Sequence, residues 1–588
     1  MLRSSRRVAS LIGALVLGSA TPAAVSITVL TATGCKDESQ PEYWVDKLSE
    51  SSWRARAVNR FEQFFEDALT RSNKNLKAAE VQELINKTVE PLTKTYVEAG
   101  DTLDPKSRVA LIKLLSGYRD KRANPAYKKA FDDFAKSPKT NKDDQDIKWA
   151  AIAVGDMKEE SLAGPMLEAF LKLRANTMLG GVVYKDYNAA MLQMPSKSWA
   201  GPLIKKLEAE VTRPGPAQKK DKDAIEDYMD QQFWQTTAAS LLGKIGDPAA
   251  VEPLIKVILD PAKVDFHQTA MVALIELGKP STDAAIKLLK GQDEKLESYC
   301  KTRIKDTGGD PTKGKPCVQS AAVILGSIGR VDAVGPMVEV LKGENDDSTK
   351  AVLARELPKL PATPESIAAF KAVYDGLPLN AQIPPGQPAL EALTEAAGQF
   401  FDPSLVDWLI RRADTIKAGA DEKDEKQGLQ QAITVTVIKL AKPDQLAAVK
   451  KAANSYGTQL EKDLLAQAEG LLKACGDRAA CYVEALSKRE NQDRKTQFTG
   501  IKAGYMAVIF GNDQTRDEIV SKLDGIDNAA VRYVSSLAID RLSPKGSKSA
   551  VDKMGAIIEK NAKSPDRDKA MGDAPLKQVM YRLAARGG

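Results

Sequence analysis

Ala238-Ala239-Ser240-Leu241-Leu242-Gly243-Lys244-Ile245-Gly246-Asp247-Pro248-Ala249-Ala250-Val251-Glu252-Pro253 and Ala321-Ala322-Val323-Ile324-Leu325-Gly326-Ser327-Ile328-Gly329-Arg330-Val331-Asp332-Ala333-Val334-Gly335-Pro336 align without a gap, at an offset of 83. Each begins with an amphipathic segment rich in small residues, which allow close packing. A glycine, Gly246 or Gly329, follows the last apolar residue, where a left-handed helix stop forms without a Cβ penalty. Asp247 then offers an acceptor to the first free N–H groups of a second helix, and Pro248 stands where its missing N–H costs nothing. Val251, Leu254 and Ile255 fall on one face of that second helix. Ala270–Leu289 repeats the pattern more loosely. The stop, cap and restart recur at Thr363-Pro364, Asp402-Pro403 and Ser543-Pro544, with weaker versions at Lys442-Pro443, Gly476-Asp477 and Gly511-Asn512-Asp513. Apart from one longer interval, these starts are spaced as helical repeats are, at roughly 31–41 residues.

These residues resemble the HEAT-repeat family, in its short form with a Gly-Asp turn that bilin-lyase-like repeats also carry. Residues 233–343 show the motif most clearly. Weaker units extend from about Tyr43 to the C-terminal end, among them Trp44–Phe65 and Lys148–Leu173. The resemblance implies an all-α fold, an α-solenoid of about twelve stacked helix pairs, each burying one face against its neighbours. Charged or Pro/Gly-rich stretches at Lys136–Asp146, Thr212–Asp223, Lys290–Pro316 and Lys417–Gln427 read as loops between repeats.

Composition agrees with packed helices. The 588 residues are 43% hydrophobic and 28% charged, so a large core is available, while aromatics are only 6%. Sheets favour aromatic and β-branched residues; Ala, Leu, Lys and Glu favour helices. The formal charge of +6 owes half its excess to Arg3, Arg6 and Arg7, and the rest of the chain is nearly balanced. Nothing in that net charge points to nucleic-acid binding, which needs a concentrated basic face.

The N-terminal stretch reads as an export signal. Met1–Arg7 is short and basic, Val8–Leu17 is apolar, and a second apolar stretch runs from Pro22 to Leu30. Thr31-Ala32-Thr33-Gly34-Cys35 follows. It resembles the bacterial lipobox, with Ala32 where leucine is usual. The resemblance implies cleavage after residue 34 and diacylglycerol on the Cys35 thiol. The expected organisation is a signal peptide over 1–34, a lipidated cysteine and short tether over 35–41, and a solenoid over 42–588. Val8–Leu30 is also long enough for an uncleaved anchor, a reading that Pro22 weakens. Either way the bulk of the chain is exported, periplasmic or at the cell surface, and held to the inner or outer membrane.

The other cysteines number four, an even count that suits an oxidising compartment. Their spacing points to local disulfides, Cys300–Cys317 and Cys475–Cys481. Zinc needs C-x₂₋₄-C pairs and preferably histidine, so no metal is expected. His267 is the one histidine, which removes most catalytic triads and His-based metal sites. No phosphate loop, dinucleotide fingerprint or H-E-x-x-H motif occurs. Gly326-Ser327-Ile328-Gly329 belongs to the repeat turn and is no nucleophile elbow. Asp221-Lys222-Asp223 and Asp421–Glu425 read as solvated charge. No catalytic residue and no cofactor are expected.

One pattern could bind. Lys205, Lys256, Lys287, Lys371, Arg411 and Lys450 occupy similar places in successive second helices, which in this family line the concave side. Equivalent positions stack, so these six form a candidate basic ladder for an acidic partner or lipid phosphates, broken by Glu168, Glu339 and Ser521. The alternative is simply the exposed face of amphipathic helices. The family mostly mediates protein–protein contacts, which implies a membrane-tethered scaffold or adaptor for a protein partner in the cell envelope. The alternatives are a structural subunit of an envelope secretion, motility or assembly machine, and a bilin-lyase-like enzyme. Export and lipid anchoring argue against the last.

Overall fold

Gly246 and Gly329 both take φ of +72° in the computed structural model. Their N–H groups donate back to Leu242 and Leu325, closing helices Lys222–Ile245 and Pro316–Ile328. The Asp247 side chain accepts from the Ala249 N–H at 2.9 Å, as a cap should. What it opens is a 3₁₀ turn, Pro248–Ala250, and the α-helix proper starts one turn later as Val251–Leu259. The second copy does the same with Val331–Ala333 ahead of Val334–Gly343. Three-residue 3₁₀ turns also precede Asn124–Lys136, Ala163–Phe170, Ala200–Glu208 and Leu446–Tyr456. The tighter winding of a 3₁₀ turn lets the corner bury an anchor, such as Leu162 or Trp199, between the two helices.

The structure describes residues 37–138, 145–174, 181–218, 221–419, 422–562 and 574–586. The export signal over 1–34, Cys35 and the start of its tether lie outside them, as do Asp421 and the middle of the Lys136–Asp146 stretch. The described chain is all-α, 78% helical with 29 helices. Its strands are one two-residue antiparallel pair, Gln382–Ile383 with Gln387–Pro388.

The chain divides into two compact units, one up to Pro91 and one from Leu92. In the first, helix Pro41–Lys47 packs on helix Arg54–Arg71. Trp44 is buried there, and the Arg56 guanidinium lies over both Trp44 and Trp53. The second unit is the α-solenoid. Twelve helix pairs are described between Pro105 and Ala562. First helices pack side by side in one row, second helices in another, and most second helices also touch the first helix of the next pair.

Small residues set the spacing of the first-helix row. A Cβ at Gly243 would come within 2.8 Å of Ala273 Cα, and one at the equivalent Gly326 within 3.1 Å of Glu356 Cβ. The row also returns on itself: the C-terminal helix Ala574–Arg586 packs against both Ala529–Arg541 and His267–Leu277.

Four local expectations are corrected. The stretch Lys290–Pro316 is not all loop. It holds helix Glu294–Asp306, capped by Asp293 and anchored by buried Leu296 and Cys300. Ser543-Pro544 does not start a helix; the next one begins at Lys548. Ser543 is buried, and its carbonyl accepts from Arg586 at 3.2 Å, so this corner serves the returning C-terminal helix. The Gly476-Asp477 corner is a third correction: helix Ala479–Ser487 starts after Arg478 with no side-chain cap. Asp221, read from the sequence as solvated loop charge, is instead a helix cap: it accepts from the Asp223 and Ala224 N–H groups at the head of helix Lys222–Ile245. Thr363 and Ser366 cap Pro364–Gly376 reciprocally, as do Asn512 and Thr515 for Asp513–Lys522.

Candidate interaction surface

All six ladder residues stand on second helices. Lys205 is on Ala200–Glu208, Lys256 on Val251–Leu259, Lys287 on Lys279–Leu289, Lys371 on Pro364–Gly376, Arg411 on Leu405–Thr415 and Lys450 on Leu446–Tyr456. Their surroundings differ. Lys256 is half-buried between Glu252 at 2.8 Å and Glu208 at 3.4 Å. Lys450 is held by Glu469 at 2.7 Å. The Lys371 ammonium sits 5.5 Å from the centre of the Trp408 ring. Lys205, Lys287 and Arg411 are exposed and have no side-chain partner among the described residues.

A second charge pattern runs through the same row. Lys290 reaches Glu339 at 2.6 Å, Lys342 reaches Glu365 at 3.0 Å, and Arg412 reaches Asp375 at 3.0 Å. Lys522 pairs with Glu484, and Lys560 with Asp524. Like Lys256 with Glu208, each pair joins one second helix, or the turn just after it, to the next. Glu339, which interrupts the basic ladder in sequence, is thereby part of the inter-repeat stitching. Exposed pairs of this kind contribute roughly 0–1 kcal/mol each. They fix which cations are spent and which remain available.

A cleft of about 500 Å³ opens in this row between helices Val334–Gly343 and Pro364–Gly376. Ala368, Ala372, Val373 and Leu377 form its apolar part, and Lys342, Lys350 and Glu365 its charged rim.

Buried cations form a feature that the basic-ladder reading missed. The Lys263 ammonium donates to the Leu207 and Ala209 carbonyls at 2.7 and 2.9 Å. That of Lys502 donates to Lys439 and Ala441. Both thereby cap the carbonyl end of a helix from an earlier pair, where the helix dipole favours positive charge. Burial still dominates: it lowers the Lys263 pKa against the pull of Asp260 and Glu210, and takes that of Lys502 well below the usual lysine value. Lys502 was legible in principle as a lone cation in an apolar run, Ile501–Ile509. Arg541, Arg582 and Arg586 do similar work at the C-terminal closure, and only the fold brings them together.

The remaining candidates take structural places. His267 shares a hydrogen bond with the Asp260 carbonyl at 3.2 Å, and burial lowers its pKa. Cys300–Cys317 and Cys475–Cys481 are disulfide-bonded. The first joins helix Glu294–Asp306 to helix Pro316–Ile328. Among the described residues no group of three or more His, Cys, Asp or Glu side chains could hold a metal ion, and no helix is long and apolar enough to cross a membrane.

Residues 234–260 match the PBS lyase HEAT-like repeat family, the segment that contains the Gly246-Asp247 corner. A comparison with curated proteins finds no match. Among solved structures, the crystal structure of an engineered protein is 13% identical over 92% of this chain and 98% of its own, with a TM-score of 0.19.

Proposed function

We propose that this HEAT-like repeat protein is an exported, lipid-tethered scaffold that captures an acidic protein partner on its row of second helices. The observation that carries the reading is the fate of the ladder. Lys205, Lys287 and Arg411 stand exposed on one stacked row with no partner of their own, while neighbouring cations stitch the repeats. Unspent positive charge on a long repeat surface suits recognition of a negatively charged, extended or helical segment. Two disulfides support export to an oxidising compartment. The apolar stretch before Cys35 supports a lipid tether. An acyl chain contributes about 0.8 kcal/mol per buried CH₂, and two or more hold a protein stably at a bilayer.

In-cell crosslinking of the full-length protein, followed by mass spectrometry of the membrane fraction, tests both parts. A dominant partner is expected, crosslinked through second-helix lysines at constant stoichiometry. The triple substitution K205E/K287E/R411E should abolish its capture, and K256E should affect it less because Lys256 is already neutralised by Glu208 and Glu252. Undiminished capture by the triple variant removes the proposed surface. Cys35→Ser should release the protein from the membrane fraction; retention there removes the lipid tether.

A further inference from the structure

The closure of the first-helix row contains a cavity of about 170 Å³, where helix Ala574–Arg586 meets Ala529–Arg541 and the corner at Lys359. Lys359 lines it, with its ammonium paired to Glu356 at 2.6 Å, and Arg541 and Arg582 line it against a single carboxylate, Asp540. That carboxylate is already engaged. Arg582 donates to both its oxygens, and Arg586 lies 3.1 Å from Oδ1. Arg582 has also used its remaining N–H groups, on the Gly326, Ser327 and Lys359 carbonyls.

Arg541 is different. Its terminal nitrogens donate to the Leu360 and Pro358 carbonyls. A guanidinium has five N–H donors, so three of them have no acceptor among the described residues. The side-chain amides of Gln399 and Gln578 line the same cavity, also without a partner among the described residues. Burial lowers the Arg541 pKa to about 10; Asp540 works against that, while Arg582 and Arg586 add to it. Three guanidiniums around one carboxylate leave an excess of positive charge in a partly desolvated place, which a counter-ion would relieve.

We propose that this cavity binds a small oxyanion, a phosphate or carboxylate group, through the free N–H groups of Arg541 and the amides of Gln399 and Gln578. Charge and acceptor oxygens are what the lining recognises, and both chemistries supply them. The site lies on the first-helix row and is independent of the second-helix surface. Its wall includes the returning C-terminal helix, so occupancy would also strengthen that closure.

Thermal unfolding and calorimetry on the full-length protein in detergent test the site. Inorganic phosphate and succinate are each titrated at ionic strength held constant with chloride. A ligand that binds the folded state raises the melting temperature with its concentration. Saturable binding of phosphate alone assigns a phosphate-type ligand, and of succinate alone a carboxylate. The variant Q399L/Q578L, which removes no hydrogen bond of the described fold, should weaken binding by about tenfold. R541M should abolish it; because Arg541 also holds the Pro358 and Leu360 carbonyls, the glutamine variant decides if R541M fails to fold. No binding of either anion up to about 10 mM, or equal affinity in Q399L/Q578L, overturns the proposal.

Discussion

Arg582 grips Asp540 through both carboxylate oxygens, Nε to Oδ1 at 3.2 Å and Nη2 to Oδ2 at 3.1 Å, and both side chains are buried. The two residues lie on different helices, Ala574–Arg586 and Ala529–Arg541. The same guanidinium reaches the carbonyls of Gly326 and Ser327, at the end of a helix more than 250 positions earlier in the chain. One side chain thus joins three first helices. A buried pair adds little over an apolar contact of equal size, but breaking one from a single side is costly.

Arg582→Ala should therefore destabilise the closure by about 3 kcal/mol, because it leaves buried Asp540 with Arg586 as its remaining ion-pair partner and strips the Gly326, Ser327 and Lys359 carbonyls of their donor. Repeat arrays lose cooperativity on such damage, so hydrogen exchange is the better readout. Amides in Ala574–Arg586 and Ala529–Arg541 should lose protection, while those in the distant helix Gln145–Met157 keep theirs. Uniform protection across all three helices would show that the closure does not depend on this residue.

Gly246 and Gly329 occupy equivalent corners with the same φ, but their surroundings differ. A Cβ at Gly246 would meet nothing within 4 Å, whereas one at Gly329 would run into the Arg582 guanidinium. Gly246→Ala should cost only the left-handed backbone penalty, about 1–2 kcal/mol. Gly329→Ala should cost clearly more and should also deprotect the C-terminal helix in hydrogen exchange. Equal losses of melting temperature in the two variants would contradict this account.

Lys502 predicts a pH dependence. Burial holds its folded pKa well below the usual lysine value near 10.5. Between the folded and unfolded values the unfolded chain binds a proton that the folded chain does not, so stability rises with pH across that window. The melting temperature of Lys502→Met, followed from pH 7 to 10, should rise less than that of the wild type. Parallel curves would mean that Lys502 stays protonated in the fold.

The Cys300–Cys317 bond closes a short loop that runs from the middle of helix Glu294–Asp306 to the start of helix Pro316–Ile328. Cys300→Ser with Cys317→Ser should cost about 3 kcal/mol in the chain-entropy view. Proteolysis within 307–315 should accelerate in the variant, and reductant should reproduce the effect in the wild type but not in the variant. Arg303, one turn further along, also holds this helix, 2.9 Å from buried Asp260, so the helix should survive loss of the bond in part.

Helix Glu294–Asp306 also shows why some of the fold was hard to read. Its sequence is strongly polar, and its apolar anchor amounts to Leu296 and Cys300, too little for a periodic signal. The basic ladder was legible as a row of similar positions on second helices. Which of its members are free was not, because Glu208, Glu469 and Trp408 come from other helices. Nor did the repeat pattern announce the C-terminal closure, since the Gly329 corner carries no mark of an arginine placed so far along the chain.

The sequence by itself determined the repeating helix, corner and helix, the glycines that end the first helices and most of the caps that start the next, and it pointed to local cysteine pairs without fixing them. Each depends on groups within a few residues of one another, where backbone sterics and side-chain reach leave few choices. The tertiary structure alone decided that the first-helix row returns on itself, that Arg541, Arg582 and Arg586 gather around Asp540, and that three ladder cations stay unspent. Those outcomes arise from small offsets between successive helix pairs, accumulated over many repeats, until residues distant in sequence come within hydrogen-bonding distance.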